Sequence, residues 1–564
     1  MGNRNALLLF FSSLLIVAFG QPALLPTLGL VSATIGFALI FYLLLQYESA
    51  RKRFFIGTVW FTLVQLVQLY WFTSHPYSYI YLPYFLLSLG AGAQFGILAL
   101  FVTRERLKHL ITCFFLAGLW TLMEWSRLFV LSGFSWNPVG LTLASSEYAR
   151  QLASVGGVFG LSFWVILTNA VGVRAYLLRA FPSLWIALSL VPYLFGVFHI
   201  AGHSHFSFGK HTEKQEFHAL LVQTAFPTEE SGPRLLPEQL ISSVIEQWHH
   251  IVKTIQPFQN KKLDLIVLPE FVVPFGTYPY AFPASTAVET LLDAFGPVAQ
   301  KKLPPLNYPY AILATTKRGQ RIMVNNAFWA QAIANLFETP LLVGLEDAED
   351  VNGKRHYFSS AMLFQPQTGK EEADIKDPQR YEKRVLVPMG EYIPFTFCQQ
   401  LAAQYGVMSS FTCGSSAKIM HAQGIPFSPS ICYEETFGNL TREGRKKGAE
   451  MIVNITSDAW YPNSTLPLQH LEHARLRTVE SGVPLIRACN NGITGGIDSF
   501  GRTLSLLGGS HPEEVEWTRA GLLVTVPLTT YWTLYSQLGD ALIVGISLLC
   551  VFLGLFTRRI VIET

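Results

Sequence analysis

The chain is short of charge. Asp, Glu, Lys and Arg make up 14% of its 564 residues, against about 25% in an ordinary soluble protein. It also lacks a basic excess: Lys plus Arg is 41, Asp plus Glu is 38, and the formal net charge is +3. That argues against a nucleic-acid binder, which must neutralise phosphates. Cysteine is scarce, six in all, which excludes a disulfide-stapled mini-protein. No internal repeat or low-complexity tract is visible, and neither a coiled coil nor a disordered tail fits the composition. What is abundant is apolar. Half the residues are hydrophobic, mean hydropathy is +0.32, and there are 12 Trp, 22 Tyr and 42 Phe. Such a composition implies a large membrane component, with aromatics in the bilayer and at its interfaces.

The apolar residues fall in runs. A helix needs about 20 mostly apolar residues to cross the hydrocarbon core. Candidate spans are 6–20, 27–45, 54–73, 79–102, 109–123, 154–173, 182–198 and 538–557, eight in all. The first is short enough to be read as a signal peptide. No small-x-small cleavage site follows it, however, since the sequence runs Val17-Ala18-Phe19-Gly20-Gln21. Positive residues in short loops mark the cytoplasmic side. With the N-terminus inside, that side holds Arg4; Arg51, Lys52 and Arg53; Arg104, Arg106 and Lys108; Arg174 and Arg179; and Arg558 and Arg559. The opposite short loops hold only Arg127 and Arg150. This alternation predicts a membrane region of seven helices over 1–202, an extracytoplasmic globular domain over 203–536, and a last helix with a cytoplasmic tail over 537–564.

The globular stretch alternates short β-rich runs with helical patterns. Strands are expected at 217–224, 263–268, 341–345, 360–364, 427–432, 451–455, 484–488, 495–500 and 522–526. Helices are expected at 237–255, 287–300, 326–337, 436–448 and 467–481. The alternation predicts layered α/β structure with helices covering sheet faces.

Three polar clusters sit at element ends. Leu265-Ile266-Val267-Leu268-Pro269-Glu270 is an apolar strand ending in one carboxylate. A desolvated Glu has a raised pKa and suits proton transfer near neutrality; a strand-end surface Glu is the plain alternative. Tyr381 to Tyr392 holds Lys383 and Glu391 around a Pro/Gly turn. A Lys beside a carboxylate stabilises an oxyanion, and a solvated charged loop is the alternative. In Ser430-Ile431-Cys432-Tyr433-Glu434-Glu435-Thr436 a Cys ends a strand just before a helix. It is either an activated nucleophile or a buried inert thiol. Together a carboxylate, an ammonium and a thiol are what thiol acyl transfer requires. Spacing alone does not bring 270, 383 and 432 together.

Glu270, Lys383 and Cys432, in this order and context, resemble the Glu-Lys-Cys triad of the nitrilase (carbon–nitrogen hydrolase) superfamily. With the membrane runs, the whole chain resembles the apolipoprotein N-acyltransferase family. The likeness rests on Leu386-Val387-Pro388-Met389-Gly390-Glu391-Tyr392-Ile393-Pro394-Phe395, on Ile431-Cys432-Tyr433-Glu434 and on Asn454 to Pro462, which contains Asp458-Ala459-Trp460-Tyr461. Gln469-His470, Ala474-Arg475, Glu480, Arg487 to Gly492, Gly133 to Pro138, and Thr533, Tyr535 and Gly539-Asp540 extend it over nearly the full length. The resemblance implies eight spans and a nitrilase-like αββα sandwich. It makes Glu270 the general base, Lys383 the oxyanion stabiliser and Cys432 the nucleophile. Glu391 would orient Lys383 or assist the base, and Tyr433 and Glu434 would support the pocket wall. It further implies a phospholipid acyl donor, phosphatidylethanolamine, a diacylglyceryl apolipoprotein acceptor, no cofactor, a monomer, and a bacterial inner-membrane location with the catalytic domain on the periplasmic side.

The sequence departs from the family at three places. The segment Thr224 to Ser231 has no Trp, and Phe226 is the candidate replacement for that lid residue. Ser457 stands where the family has Asn, and Met389 where it has Phe. Competing readings are a membrane-tethered amidase using the same triad with water as acceptor, and a non-catalytic lipoprotein-binding scaffold. Cys398 and Cys413 either form a disulfide in an oxidising compartment or remain two thiols. His470 and His473 lack a third ligand, so no metal is expected. Glu124 and Arg127 either pair at the interface or face water. Arg445-Lys446-Lys447 reads as a solvated helix face or a headgroup contact.

Overall fold

The computed structural model describes residues 3–205, 216–227, 237–316, 319–367, 375–395 and 410–562. A helix lies at each of the eight apolar runs: Asn3–Phe19, the merged segment Pro26–Leu44, Ala50–Gln68, Tyr81–Ala99, Leu110–Ser126, Ala153–Leu178, Ser183–His205 and Asp540–Ile562. Four stretches, Pro26–Leu44, Ser78–Ala99, Ala153–Leu178 and Ser183–His203, are long and apolar enough to cross a membrane. Arg4–Phe19 and Asp540–Phe556 are shorter apolar helices. Ala50–Gln68 opens with Arg51-Lys52-Arg53, which dilutes its apolar character.

Tight packing holds the bundle. Gly92 and Gly96 face the Ala50–Gln68 helix. A Cβ at either would lie 2.0 or 2.1 Å from Thr62 or Thr58 Oγ1. Small residues four apart let helices approach closely where no hydrophobic effect drives them together. Around this contact Trp60, Phe61, Phe95 and Trp120 form one buried aromatic knot. Leu190, Leu194, Phe198, Leu548, Leu549 and Phe552 point outward and are exposed. So much outward apolar surface suits lipid as solvent.

The globular part is built on two six-stranded sheets. One runs Ala520–Pro527, Glu216–Gln223, Leu265–Val267, Leu341–Val351, Lys354–Phe364, Gln379–Glu382. The other runs Met420–Ala422, Ile425–Ile431, Met451–Thr456, Leu485–Cys489, Gly495–Ile497, Thr503–Leu506. Read in these orders both show the same pairing: antiparallel, two parallel, two antiparallel. Strand alternation explains the layers. Phe217, Ala219 and Leu221 face Phe427, Val453 and Ile486 across the sandwich. The intervening Leu220 and Val222 meet the helices Pro237–Ile255, Ala284–Phe295 and Asn326–Phe337 on the outer face. Helix Leu466–Ser481 covers the second sheet through Leu471 and Ala474. The layers are therefore helix, sheet, sheet, helix, as expected for a nitrilase-like α/β domain.

Some elements differ from expectation. The strand expected at 341–345 extends to Val351 and pairs with a strand that begins at Lys354. Gln379–Glu382, Met420–Ala422 and the hairpin Ala311–Thr316 with Gly319–Val324 are strands the apolar pattern did not predict. Gln379–Glu382 is polar, Met420–Ala422 is only three residues long, and Ala311–Thr316 is apolar but exposes Ile312 and Leu313, so no sustained alternation marks them. The second strand ends at Ile431, leaving Cys432 just beyond it with φ +51°.

Helix Leu466–Ser481 is also where the globular domain meets the bundle. Glu480 Oε1 accepts from Val158 N at 2.9 Å. Val158 follows Gly157, whose φ of +63° breaks the Ala153–Leu178 helix. Nearby, Arg150 Nη1 donates to Gly501 O at 2.7 Å and Gln151 Nε2 to Phe500 O at 2.8 Å.

Candidate active site

Three strand ends converge at one end of the sandwich. Glu270 follows Leu265–Val267, Lys383 follows Gln379–Glu382, and Cys432 follows Ile425–Ile431. Within the first sheet the registers through Leu341–Val351 and Lys354–Phe364 set the relative heights of Glu270 and Lys383, and packing of the two sheets face to face brings the end of the Cys432 strand to them.

The charges meet there. Lys383 Nζ donates to Glu270 Oε1 at 2.9 Å and to Glu391 Oε1 at 2.7 Å. Lys383 is 1% exposed and Glu270 is 4% exposed. The Cys432 thiol lies beside the Glu270 carboxylate, close enough to influence its protonation. Glu391 Oε2 accepts from Val387 N at 2.8 Å, closing the turn that carries it. Met389 sits in that turn with φ +65°.

Burial pushes the Glu270 carboxyl above its ordinary range; Lys383 pulls it back down and Glu391 pushes it up. Burial alone would lower the Lys383 ammonium, but Glu270, Glu391 and Cys432 hold it well above its ordinary value. Burial and then Glu270 push the Cys432 thiol well up. The resting sulfur is therefore a protonated thiol beside a carboxylate with raised proton affinity. Such a pair can pass one proton between them, next to a fixed cation.

Glu434 ties the site together. Its carboxylate accepts from Tyr381 OH at 2.9 and 3.0 Å, from Arg384 N at 2.6 Å and from Ile431 N at 2.8 Å. One side chain thus joins the Tyr381 phenol and the Arg384 backbone, on either side of Lys383, to the strand that presents Cys432. Tyr433 faces the other way. Its OH donates to Gly133 O at 3.0 Å and accepts from Ser135 N at 3.4 Å, and its ring stacks on Trp136 at 5.7 Å. Cys432 itself packs in an apolar cluster with Leu69, Trp71, Tyr84 and Leu87 of the bundle and Tyr461 of the globular domain. The site wall is shared between the two regions.

All six residues singled out in the sequence lie in this cluster or bound directly to it. The sequence did not reveal the polar floor. His470 Nε2 approaches Cys432 O at 3.2 Å, and its Nδ1 approaches Asp458 Oδ1 at 3.0 Å. Asn454 Nδ2 donates to Cys432 O at 3.5 Å. His470 also neighbours Glu435 Oε2 at 3.2 Å, which Arg487 Nη2 approaches at 3.5 Å. Asn454, Asp458 and His470 all lie in segments that carry the family resemblance, but no local pattern in them pointed to contact with Cys432.

Phe226, the candidate lid residue, is buried, donates from its N to Asn490 Oδ1 at 2.8 Å and lies 5.0 Å from the Arg519 guanidinium. Those contacts do not lead to the triad, and residues 228–231 lie outside the described residues. Cys398 also lies outside them, and with it the pairing to Cys413. Glu124 and Arg127 are both buried: Glu124 Oε1 accepts from Val139 N at 2.8 Å, and Arg127 Nε donates to Gln94 Oε1 at 2.7 Å. They do not form a direct ion pair, and neither faces water.

The carbon-nitrogen hydrolase family model matches residues 238–506, and the apolipoprotein N-acyltransferase N-terminal domain model matches residues 12–171. The chain is 31% identical over 550 residues to the apolipoprotein N-acyltransferase of Chlamydia trachomatis, covering 94% of this chain and 93% of that protein. It is 30% identical over 549 residues to that of Chlamydia pneumoniae, with the same coverage. A carbon-nitrogen hydrolase structure from Helicobacter pylori is 15% identical, covers 56% of this chain and 90% of its own, and superposes with a TM-score of 0.33. The two family models between them span the bundle and the sandwich, and the relatives match from end to end: the chain belongs to the apolipoprotein N-acyltransferase family.

Proposed function

We propose that the chain transfers an acyl chain from a membrane phospholipid to the N-terminal amine of a diacylglyceryl-cysteine apolipoprotein through a thioester on Cys432. The observation that carries the site assignment is Lys383, held between Glu270 and Glu391 with the Cys432 thiol beside Glu270. Glu270 takes the proton from Cys432 Sγ. The thiolate attacks the ester carbonyl of the donor, phosphatidylethanolamine in this reading, and Lys383 stabilises the oxyanion. The C–O bond breaks, Glu270 returns the proton to the leaving glycerol oxygen, and lysophospholipid departs. The neutral α-amine of the acceptor then attacks the thioester. Glu270 takes the amine's proton and gives it to the departing Cys432 sulfur, leaving an amide.

Glu391 holds Lys383 in place, while Glu434 and Tyr433 position the nucleophile. The apolar cluster of bundle residues that Cys432 packs against, Leu69 and Trp71 among them, suits an acyl chain better than the small amide of a hydrolytic amidase. In this reading eight helices cross a bacterial inner membrane, seven within 1–202 and one within 537–564. The 203–536 domain lies on the periplasmic side, and a single copy is active. Incubation with phospholipid labelled in its acyl chain, followed by mass spectrometry of the Cys432 peptide, tests the reading. An acyl adduct lost in Cys432→Ala is expected. A wild type that transfers label without the adduct, or an active Cys432→Ala, refutes it.

A further inference from the structure

The nucleophile stands in a costly conformation. Cys432 has φ +51°, a left-handed geometry that is strained for any residue with a Cβ. Something must hold it there. Ile431 N is taken by Glu434. The carbonyl of Cys432 turns instead to the floor of the site, where His470 Nε2 lies 3.2 Å away and Asn454 Nδ2 3.5 Å away. A carbonyl oxygen only accepts, so Nε2 must carry a proton to bond it. The ring itself is pinned between two carboxylates: it is 1% exposed, its Nδ1 faces Asp458 Oδ1 at 3.0 Å, and its Nε2 lies 3.2 Å from Glu435 Oε2 as well as from the Cys432 carbonyl.

The consequence lies in the next peptide. The only cis bond among the described residues is Tyr308–Pro309, so the Cys432–Tyr433 peptide is trans. In a trans peptide the N–H points opposite to the C=O. Holding the Cys432 oxygen against His470 therefore fixes the direction of Tyr433 N–H, away from the floor. We propose that His470, oriented by Asp458, is a positioning residue for acyl transfer: it clamps the Cys432–Tyr433 peptide so that Tyr433 N–H is preset to receive the oxyanion formed at Cys432. This rests on the acyl-transfer reading of the same site. It assigns His470 a role with no metal and no proton transfer to substrate.

The test separates oxyanion chemistry from simple thiol reactivity. Alkylation by iodoacetamide uses the same sulfur but forms no oxyanion. Both rates are read on the full-length detergent-solubilised protein by mass spectrometry of the Cys432 peptide. A Gln side chain places an amide N–H near the position of His Nε2, whereas Asn places one near Nδ1. His470→Asn is expected to slow acyl-enzyme formation from phospholipid at least tenfold and to leave Cys432 alkylation within twofold of wild type. His470→Gln is expected to recover most of the acylation rate. The proposal is overturned if acylation is unchanged in His470→Asn, if acylation and alkylation fall by the same factor, or if Gln is no better than Asn. Failure of the wild type itself to form an acyl-enzyme would instead refute the acyl-transfer reading, independently of any His470 variant.

Discussion

Gly344 is the position where one methyl group should separate folding from catalysis. It lies in the Leu341–Val351 strand; its N donates to Pro269 O at 3.1 Å and its O accepts from Val272 N at 3.0 Å. A Cβ there would lie 2.5 Å from both Glu270 Cα and Pro269 O, and 3.0 Å from Ile455 Cδ1. The first two are backbone atoms that cannot swing aside, and Ile455 of the opposite sheet blocks retreat the other way. An ordinary contact begins near 3.4 Å, so Glu270 must back off by about 1 Å. Its 2.9 Å bond to Lys383 would then be lost. A misplacement of about 1 Å costs on the order of 100-fold in rate, and overpacking costs about 1–3 kcal/mol of stability. Gly344→Ala should therefore form the Cys432 acyl-enzyme about 100-fold more slowly, in a protein that still unfolds cooperatively at a somewhat lower temperature. Gly202→Ala, where no atom lies within 4 Å of the added Cβ, should change neither. A folded Gly344→Ala with an acylation rate within twofold of wild type would show that the strand does not set the Glu270–Lys383 geometry.

Lys383→Met leaves buried Glu270 and half-buried Glu391 without their cation. Unpaired buried charge costs about 3–5 kcal/mol, and protonation relieves it, so the drop in thermal midpoint should be larger at pH 8 than at pH 5. Because Glu270 works as a base only when ionised and its pKa is raised, acylation in the wild type should fall away with acid at a pH above the ordinary carboxylate range. Glu391 contributes to that rise, so Glu391→Gln should move the acid limb to lower pH in a single-turnover pH profile, alongside any loss of maximal rate. Glu480 is fully buried and its carboxyl is pushed up to about 7, by burial first, against the pull of Arg477. A carboxyl raised on folding favours the folded state most below its unfolded pKa and withdraws that support as pH rises. Stability should fall between about pH 4.5 and 7, by roughly 3 kcal/mol from this group, and in Glu480→Gln the slope of denaturation midpoint against pH should flatten over that window.

Strand ends that carry chemistry were legible because each apolar run stops at a polar residue. Leu265 to Glu270 and Phe427 to Cys432 show this pattern without any tertiary information. Helices Pro237–Ile255 and Asn326–Phe337 have the bounds expected from their helical patterns. The Lys383 strand was illegible for a physical reason. Gln379-Arg380-Tyr381-Glu382 reads as a solvated charged loop, yet Arg380 bonds Asp347, Glu349 and Glu382. Those partners lie on another strand or two residues along the same one, and this cross-strand charge cluster takes the place of hydrophobic alternation. Glu434 was similarly half-visible. Its position after the nucleophile marks it, but its bonds reach Tyr381 and Arg384 some fifty residues earlier, a closure that no local pattern encodes. Span counting was limited by composition: basic residues at the head of Ala50–Gln68 and the brevity of Asn3–Phe19 blur where helix ends and membrane begins.

The bonds from Tyr433 to Gly133 and Ser135 bear on how the enzyme can be handled. The phenol next to the nucleophile is anchored in a loop between two membrane helices, and Trp136 of that loop forms part of the wall. Excising the sandwich as a water-soluble fragment would keep Glu270, Lys383 and Cys432 but remove the partners of Tyr433 and release the turn that carries the thiol. Inhibitor discovery against this enzyme accordingly belongs on the intact chain in detergent or nanodisc. A compound that wedges between Trp136 and Tyr433 could disable acyl transfer without touching the sulfur.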